Sequence, residues 1–300
     1  MTTPYQQGPR PGYQQGPHSG PPQPHGHAPG DGSFGYTSPI PARPTHLGDA
    51  VASEWTKIRS VRSTMWTLGV MVALILGIGL LTAAAVAATS DDVGNENVLI
   101  LGFFGVLLAT MCVITLGVLV ISSEYGTGLI RSTLTACPSR GRVLAAKSLV
   151  FSLVVFVVST VTTLVTGALQ VAVLDGRSPT GEEWFRSTVG VSLYLAVLGL
   201  LSLAVGGLIR HSAGAITVMI GLVLLPLVMA MFMLSESLTW LREAMFTYSI
   251  PAQLSVFYGS DVSLDSVGSG PRGWEPLWIM LVVTAVAMVG AYFSLDRRDV

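Results

Sequence analysis

The sequence is poor in charged residues and in cysteine. Only 11% of its 300 residues are charged, whereas about a quarter are charged in a soluble domain. The two cysteines, Cys112 and Cys137, do not indicate a disulfide framework. Cys112 falls in a long apolar run and Cys137 in a basic loop that we expect on the reducing side of a membrane. The composition therefore argues against a soluble domain and against a disulfide-stapled secreted one.

The residue patterns of catalytic sites are also missing. There is no His-Glu-x-x-His, no Gly-x-Ser-x-Gly and no Cys/His metal spacing. The run 141–148 resembles a phosphate loop, but Ala146 stands where that loop needs its second glycine. We therefore expect no catalytic site, cofactor or metal, and we interpret Lys147 as an anchor at the membrane interface.

Long apolar runs dominate the chain instead. Half of the residues are hydrophobic, and each run is close to the ~20 residues that a helix needs to cross a bilayer. The sequence therefore predicts an all-α integral membrane protein with six transmembrane helices. The runs are 65–89, 98–121, 145–173, 189–209, 214–234 and 275–294.

The basic residues favour one orientation of these spans. If Met1 lies in the cytoplasm, twelve of the sixteen Lys and Arg residues fall on the cytoplasmic side, which is the bias that orients helices during insertion. We expect a multi-pass protein of the cytoplasmic (plasma) membrane with both termini inside. Since no ionisable residue lies well within a span, an ion-coupled secondary transporter is disfavoured.

Residues 1–46 differ in composition from the rest. They hold eleven of the seventeen prolines and a short repeat, Tyr5–Pro9 and Tyr13–Pro17. Such a segment cannot bury enough apolar surface to offset the entropy of ordering it. We predict a disordered Pro/Gly/Gln-rich cytoplasmic tail, followed by a membrane domain over residues 47–300.

An amphipathic segment precedes the first span. Leu47, Val51, Trp55, Ile58 and Val61 recur at helical spacing, and a basic helix with Trp on its apolar side favours the membrane interface. We predict an interfacial helix over 47–63 that bends into the bilayer near 62–66. A longer first helix that projects into the cytoplasm is the alternative.

The loop from Ser122 to Lys147 is the most informative polar stretch. Glu124 lies at the C-terminal end of a helix, where the macrodipole disfavours a negative charge. We expect a basic partner for it, either Arg131 or a residue of another chain. The loop is either a docking helix for a cytoplasmic partner, ended by Pro138, or a solvated loop with ordinary basic anchors.

The long outer loop and two span features complete the pattern. Leu238, Leu241, Met245 and Tyr248 predict a short helix at the outer surface, and residues 259–273 a mobile loop. Pro226 predicts a kink within the fifth span. Several pairs of glycines allow close helix contacts of the kind found in membrane dimers. They are Gly77 and Gly79, Gly102 and Gly105, and Gly206 and Gly207.

Three short motifs resemble the permease subunits of type-2 ABC exporters. Residues 54–64 ahead of span one look like the entry helix of these permeases. Residues 124–140 are similar to the segment after span two in actinobacterial members, and 293–299 match their usual ending. The resemblance covers residues 47–300 and leaves the tail outside.

The resemblance implies a type-2 ABC exporter permease fold and a non-catalytic subunit. Such permeases pair as homodimers or heterodimers, and each chain binds a separate ATP-binding cassette ATPase subunit through its entry helix and the loop after span two. The helical part of the outer loop corresponds to an outer re-entrant element. The implied ATPase contacts are Glu54, Lys57, Arg59, Glu124, Tyr125, Gly126, Thr127, Arg131 and Leu134.

Two other functions are consistent with six spans. The first is a non-transporting membrane scaffold or sensor whose tail recruits partners. The second is an intramembrane enzyme, which the lack of buried acid–base or metal residues disfavours. No pattern indicates a nucleic-acid partner.

Overall fold

Helices make up almost the whole structure. The computed structural model describes residues 46–89, 97–136, 139–174, 176–233, 235–259 and 270–297. About 90% of these residues are helical, and none of them forms a strand. Six helices within these ranges are long and apolar enough to cross a membrane, as predicted. This is the architecture of a multi-pass membrane protein.

The helix bounds extend most of the predicted spans by a turn or two. The helices are α1 (Leu47–Ser60), α2 (Arg62–Thr89), α3 (Phe103–Thr127), α4 (Leu129–Ala136), α5 (Arg140–Val173), α6 (Gly181–Phe185), α7 (Val191–Ile209), α8 (Ser212–Phe232), α9 (Thr239–Thr247), α10 (Ile250–Ser255) and α11 (Glu275–Arg297). A 3₁₀ turn, Val98–Gly102, leads into α3. The π turn Arg186–Gly190 joins α6 to α7, so Gly181–Ile209 is one long helix.

Helix α7 is the centre of the bundle. It packs on α3, α5, α8 and α11, while α2 packs on α3 and α5. In the most apolar part of each span, 72% of residues are buried in Gly181–Ile209 but only 17% in Glu275–Arg297. The apolar surfaces of α2, α8 and α11 are therefore the ones left for lipid or for another chain.

Both ends of the bundle can be defined from contacts between helix ends. Arg140 at the start of α5 and Arg210 after α7 both donate to carbonyls at the end of α11. These ends lie together with α1 and α4, and we call this end the α1 side. The opposite end carries α9 and α10, and we call it the α9 side.

Glycines let the central helices approach closely. A Cβ added at Gly117 of α3 would lie 2.4 Å from the carbonyl oxygen of Gly199 in α7, which no side chain tolerates. Gly105 and Gly206, singled out from the sequence, lie against backbone atoms of α2 and α3 in the same way. Gly77 has open space around it, and α8 continues as a helix through Pro226.

Helix α1 is separate from the first span. The backbone is extended at Val61 (φ −81°, ψ 111°), so the bend comes one residue before the predicted position. The alternative prediction of one longer helix is wrong. The apolar stripe of α1 is divided between the bundle and the surface. Ile58 is buried, but Glu54 is buried beside it, while Leu47, Trp55 and Val61 of the apolar stripe are exposed.

A buried segment follows a surface helix on the α9 side. The predicted helix before Pro251 exists as α9, and none of its residues is buried, which agrees with its predicted place at the surface. Every residue from Ile250 to Tyr258, by contrast, is buried, and we call this run the re-entrant segment. Arg186 of the π turn donates to the Val256 carbonyl at 2.8 Å, and Phe257 stacks on Tyr194 with ring centroids 5.8 Å apart.

Two predictions fall mainly outside the described residues. The disordered tail covers residues 1–46, of which only His46 is described. The predicted mobile loop covers 259–273, of which 260–269 are not described.

Candidate functional site

Four charged side chains form a closed set at the α1 side, which we call the charge ring: Glu54, Lys57, Glu124 and Lys147. Lys147 Nζ lies 2.7 Å from Glu54 Oε2 and 2.8 Å from Glu124 Oε1. Lys57 Nζ lies 2.7 Å from Glu54 Oε1 and 2.9 Å from Glu124 Oε1. Each carboxylate therefore contacts both ammonium groups, and the four charges cancel.

Three helices supply the charge ring. Glu54 and Lys57 are one turn apart on α1, so they share a face. Glu124 comes from the last turn of α3, and Lys147 from the start of α5. The ring therefore fixes the interfacial helix to the ends of two spans, through bonds between residues up to 93 positions apart.

Most of the ring is shielded from solvent. The side chains of Glu54, Glu124 and Lys147 are 5%, 8% and 3% exposed, while that of Lys57 is 39% exposed. Burial lowers the pKa of Lys57, but its hydrogen bonds to Glu54 and Glu124 and their charges outweigh this, so the pKa lies above its ordinary value of 10.5. Lys57 is thus the one ring member that can also meet an external ligand.

The ring corrects two predictions. Glu124 does have basic partners, as its position at a helix end required, but they are Lys57 and Lys147 rather than Arg131. Lys147 is a buried ring member rather than an interface anchor. The sequence does place these four charges on three elements near the same membrane boundary. Nothing in their spacing shows which of them form ion pairs.

A second cluster lies beside the ring. The guanidinium of Arg210 lies 4.9 Å above the Tyr125 ring, and its Nη2 donates to the Ser294 carbonyl at 2.9 Å. Arg140 donates to the carbonyls of Leu295 and Asp296. Two arginines thus satisfy carbonyls at the C-terminus of α11, where positive charge is favoured by the helix dipole. Tyr125 serves this packing and is half-buried.

The remaining predicted contact residues lie on the outer surface of the α1 side. Arg59, Gly126, Thr127 and Arg131 are exposed. Leu134 is half-buried and lines a small gap with Ile130, Val143 and Leu295 beneath α4. On α4, Ile130 is buried whereas Leu129 is 57% exposed.

A cleft separates α1 from α4. It is lined by Asp49, Ser53, Lys57, Thr133 and Val143 among others, with an empty volume of about 810 Å³ including the part open to solvent. Gly128, which joins α3 to α4, has a left-handed backbone (φ 73°). This glycine turns the chain so that α4 lies across the end of α3 and faces α1 over the cleft.

The resemblance to exporter permeases rests on the motifs around this site. No protein-family profile matches the chain, and no curated protein matches its sequence. The resemblance therefore stays a hypothesis, and the geometry of the charge ring, α1 and α4 has to support any functional conclusion.

Proposed function

We propose that this chain is the permease subunit of an ATP-driven exporter of the plasma membrane. It forms the translocation path as one half of a permease dimer and has no catalytic activity of its own. ATP is hydrolysed by a separate ATP-binding cassette subunit that docks on the α1 side, in the cytoplasm.

The observation that carries this proposal is the attachment of α1 to the spans by the charge ring. Docking on α1 and α4 is useful only if their motion reaches the membrane helices. Removing one partner from a buried ion pair costs about 3–5 kcal/mol, so the ring resists separation of α1 from α3 and α5. A push on α1 therefore moves the ends of two spans.

The exposed surface of α4 supplies the contact area. Leu129 and Arg131 are exposed on it, and the cleft beside it is open to solvent. Leu129 offers apolar area and Arg131 a charge that can pair, and arginine is among the residues enriched in protein interfaces. The buried residues Glu54 and Glu124 position this surface rather than touch the partner.

The charge distribution supports a cytoplasmic α1 side. Among the described residues, nine Lys and Arg lie on the α1 side and four lie on the α9 side, in agreement with the rule for orientation. The re-entrant segment then faces outwards. Its rings pack against Phe103 of α3 and Tyr194 of α7, which supports a role in closing the exit of the proposed path.

Co-purification tests the proposal. The tagged full chain is isolated from its own cells, and the bound proteins are tested for an ATP-binding subunit and for ATP hydrolysis. Arg131→Glu and Leu129→Asp are expected to release that subunit without unfolding the chain, since both side chains are exposed. Arg177→Glu, a charge reversal on the α9 side, is the matched control and retains it.

Two outcomes oppose the proposal. If no ATP-binding subunit accompanies the intact chain, a scaffold or sensor role is favoured. If the subunit binds the intact chain and still binds both α4 variants, the docking surface has been assigned wrongly.

A further inference from the structure

A second cleft of the α1 side lies on the membrane side of the charge ring. It is bounded by α1, α2, α3 and α4 and has an empty volume of about 980 Å³, counting the part open to solvent. Lys57 and Glu124 belong to its wall. We call it the groove; Leu129 of the proposed docking surface lies at its edge, but the residues of α2 and α3 that line it have no part in that docking.

The polarity of the groove changes along its length. Leu116, Leu119 and Val120 of α3 line its deeper part, and Ser123 and Glu124 line its outer end. The eight helical steps from Leu116 to Glu124 span about 12 Å, close to the half-thickness of the ~30 Å hydrocarbon layer. The α3 wall of the groove is thus apolar at the depth of acyl chains and polar at the depth of headgroups, and Thr64 and Thr67 of α2 lie on the opposite wall.

The charges around its mouth favour an anionic group. Of the four charged side chains that line the groove, Lys57 is 39% exposed, whereas Glu54, Glu124 and Lys147 are at most 8% exposed. The ammonium of Lys57 has three hydrogens, and its two described bonds to the ring leave one for a ligand. The acids that line the groove, Glu54 and Glu124, are already paired with lysines.

One buried acceptor in the groove wall has no donor. Glu124 is 6% exposed, and its Oε2 has no hydrogen-bond partner within the described part of the chain. Buried polar atoms of this kind almost always have a partner. A ligand that carries a hydroxyl group beside its negative charge supplies the missing donor.

We infer that the groove binds one phospholipid from the leaflet on the α1 side, with an anionic headgroup that carries hydroxyl groups. The phosphodiester pairs with Lys57, a headgroup hydroxyl donates to Glu124 Oε2, and an acyl chain lies along Leu116, Leu119 and Val120. Binding requires only the groove and a bilayer, so the inference does not depend on the proposed export function.

Native mass spectrometry of the purified full chain in detergent tests this inference. Phosphatidylglycerol is the probe, phosphatidylcholine is the neutral-headgroup comparison, and glycerol phosphate is the comparison without acyl chains. We expect one tightly bound phosphatidylglycerol per chain, weaker binding of phosphatidylcholine by about tenfold, and no displacement by glycerol phosphate.

Matched variants locate the bound lipid. Leu119→Trp fills the groove and is expected to abolish the adduct, whereas Leu149→Trp, on the exposed surface of α5 outside the groove, keeps it. Lys57→Gln is expected to weaken binding about tenfold, Lys57→Arg to restore it, and Arg59→Gln to leave it unchanged. Thr67→Phe on the opposite wall is a second blocking variant if Leu119→Trp does not fold.

Each remaining outcome overturns the inference. Equal binding of the two phospholipids, or displacement by glycerol phosphate, shows that the groove does not select an anionic amphiphile. An adduct that persists when the groove is blocked, or that is lost equally in Leu149→Trp, shows that the lipid binds elsewhere.

Discussion

Lys147→Met is the sharpest test of the charge ring. The Lys147 side chain is only 3% exposed and bridges Glu54 and Glu124. Its replacement by an apolar side chain of similar length leaves Glu54 Oε2 without its ammonium partner and the ring with a net buried negative charge. The variant is expected to lose about 3–5 kcal/mol of unfolding free energy.

The loss is large enough to measure by thermal unfolding in detergent. For a chain of this size, 1 kcal/mol corresponds to about 2–4 °C in the midpoint, so Lys147→Met is expected to unfold roughly 10 °C below the parent. Tryptophan fluorescence follows the transition, since the chain holds six tryptophans. Arg131→Met removes an exposed positive charge from the same side and is expected to change stability by at most about 0.5 kcal/mol.

A double variant separates the charge effect from packing. In Lys147→Met/Glu124→Met the remaining ring members, Glu54 and Lys57, form one pair, so no uncompensated charge is left. We expect the double variant to be more stable than Lys147→Met alone. If Lys147→Met is no less stable than Arg131→Met, or if the second substitution adds a further loss, the ring does not hold α1 in place.

Three further predictions concern other elements. Phe257→Ala in the re-entrant segment, where the side chain is 1% exposed, is expected to cost about 3–5 kcal/mol in the same thermal assay, while Phe104→Ala on an exposed surface costs much less. Gly128→Ala is expected to lower the unfolding free energy by about 1 kcal/mol because of the left-handed φ of 73° at this position. Gly126→Ala, inside helix α3, is the control and is expected to be neutral or stabilising. A loss of stability at both positions contradicts this explanation. The ring raises the pKa of Lys57 above 10.5, so its stabilisation is complete below that pH and is lost as the pH rises through the folded-state pKa. Unfolding midpoints of the parent and Lys57→Gln are therefore expected to differ at neutral pH and to converge only above about pH 10.5.

The membrane architecture follows directly from the sequence because it depends on local composition. Each span is an apolar run long enough to cross a bilayer, and all six helices are found where these runs lie. The break between α1 and α2 could be predicted as well, since an amphipathic segment gives way there to a uniformly apolar one. The ends of the helices could not be predicted from the apolar runs alone, because the helices continue past them through polar residues such as Glu124 and Arg140.

The charge ring could not be predicted, because it depends on how distant elements pack. A sequence rule that treats every charge near a membrane boundary as solvated does not distinguish Glu54 and Glu124 from exposed charges. Only the approach of α1 to α3 and α5 brings them to the same two lysines. The burial of the re-entrant segment also depends on packing. Unlike α9, which carries Arg242 and Glu243, it has no charged residue, but its burial comes from contacts with Phe103 and Tyr194.

The two surfaces of α1 decide how it can move. One surface holds Glu54 and Ile58 against the bundle, and the other exposes Leu47, Trp55 and Val61, which suit the membrane interface. A partner that tilts α1 must either break the ion pairs of the ring, which costs about 3–5 kcal/mol, or move the ends of α3 and α5 together with α1. Allosteric coupling energies are typically 1–3 kcal/mol, which is less than the first option requires. If a partner docks on the α1 side as proposed, we therefore expect the motion of α1 to reach the spans with the ring intact.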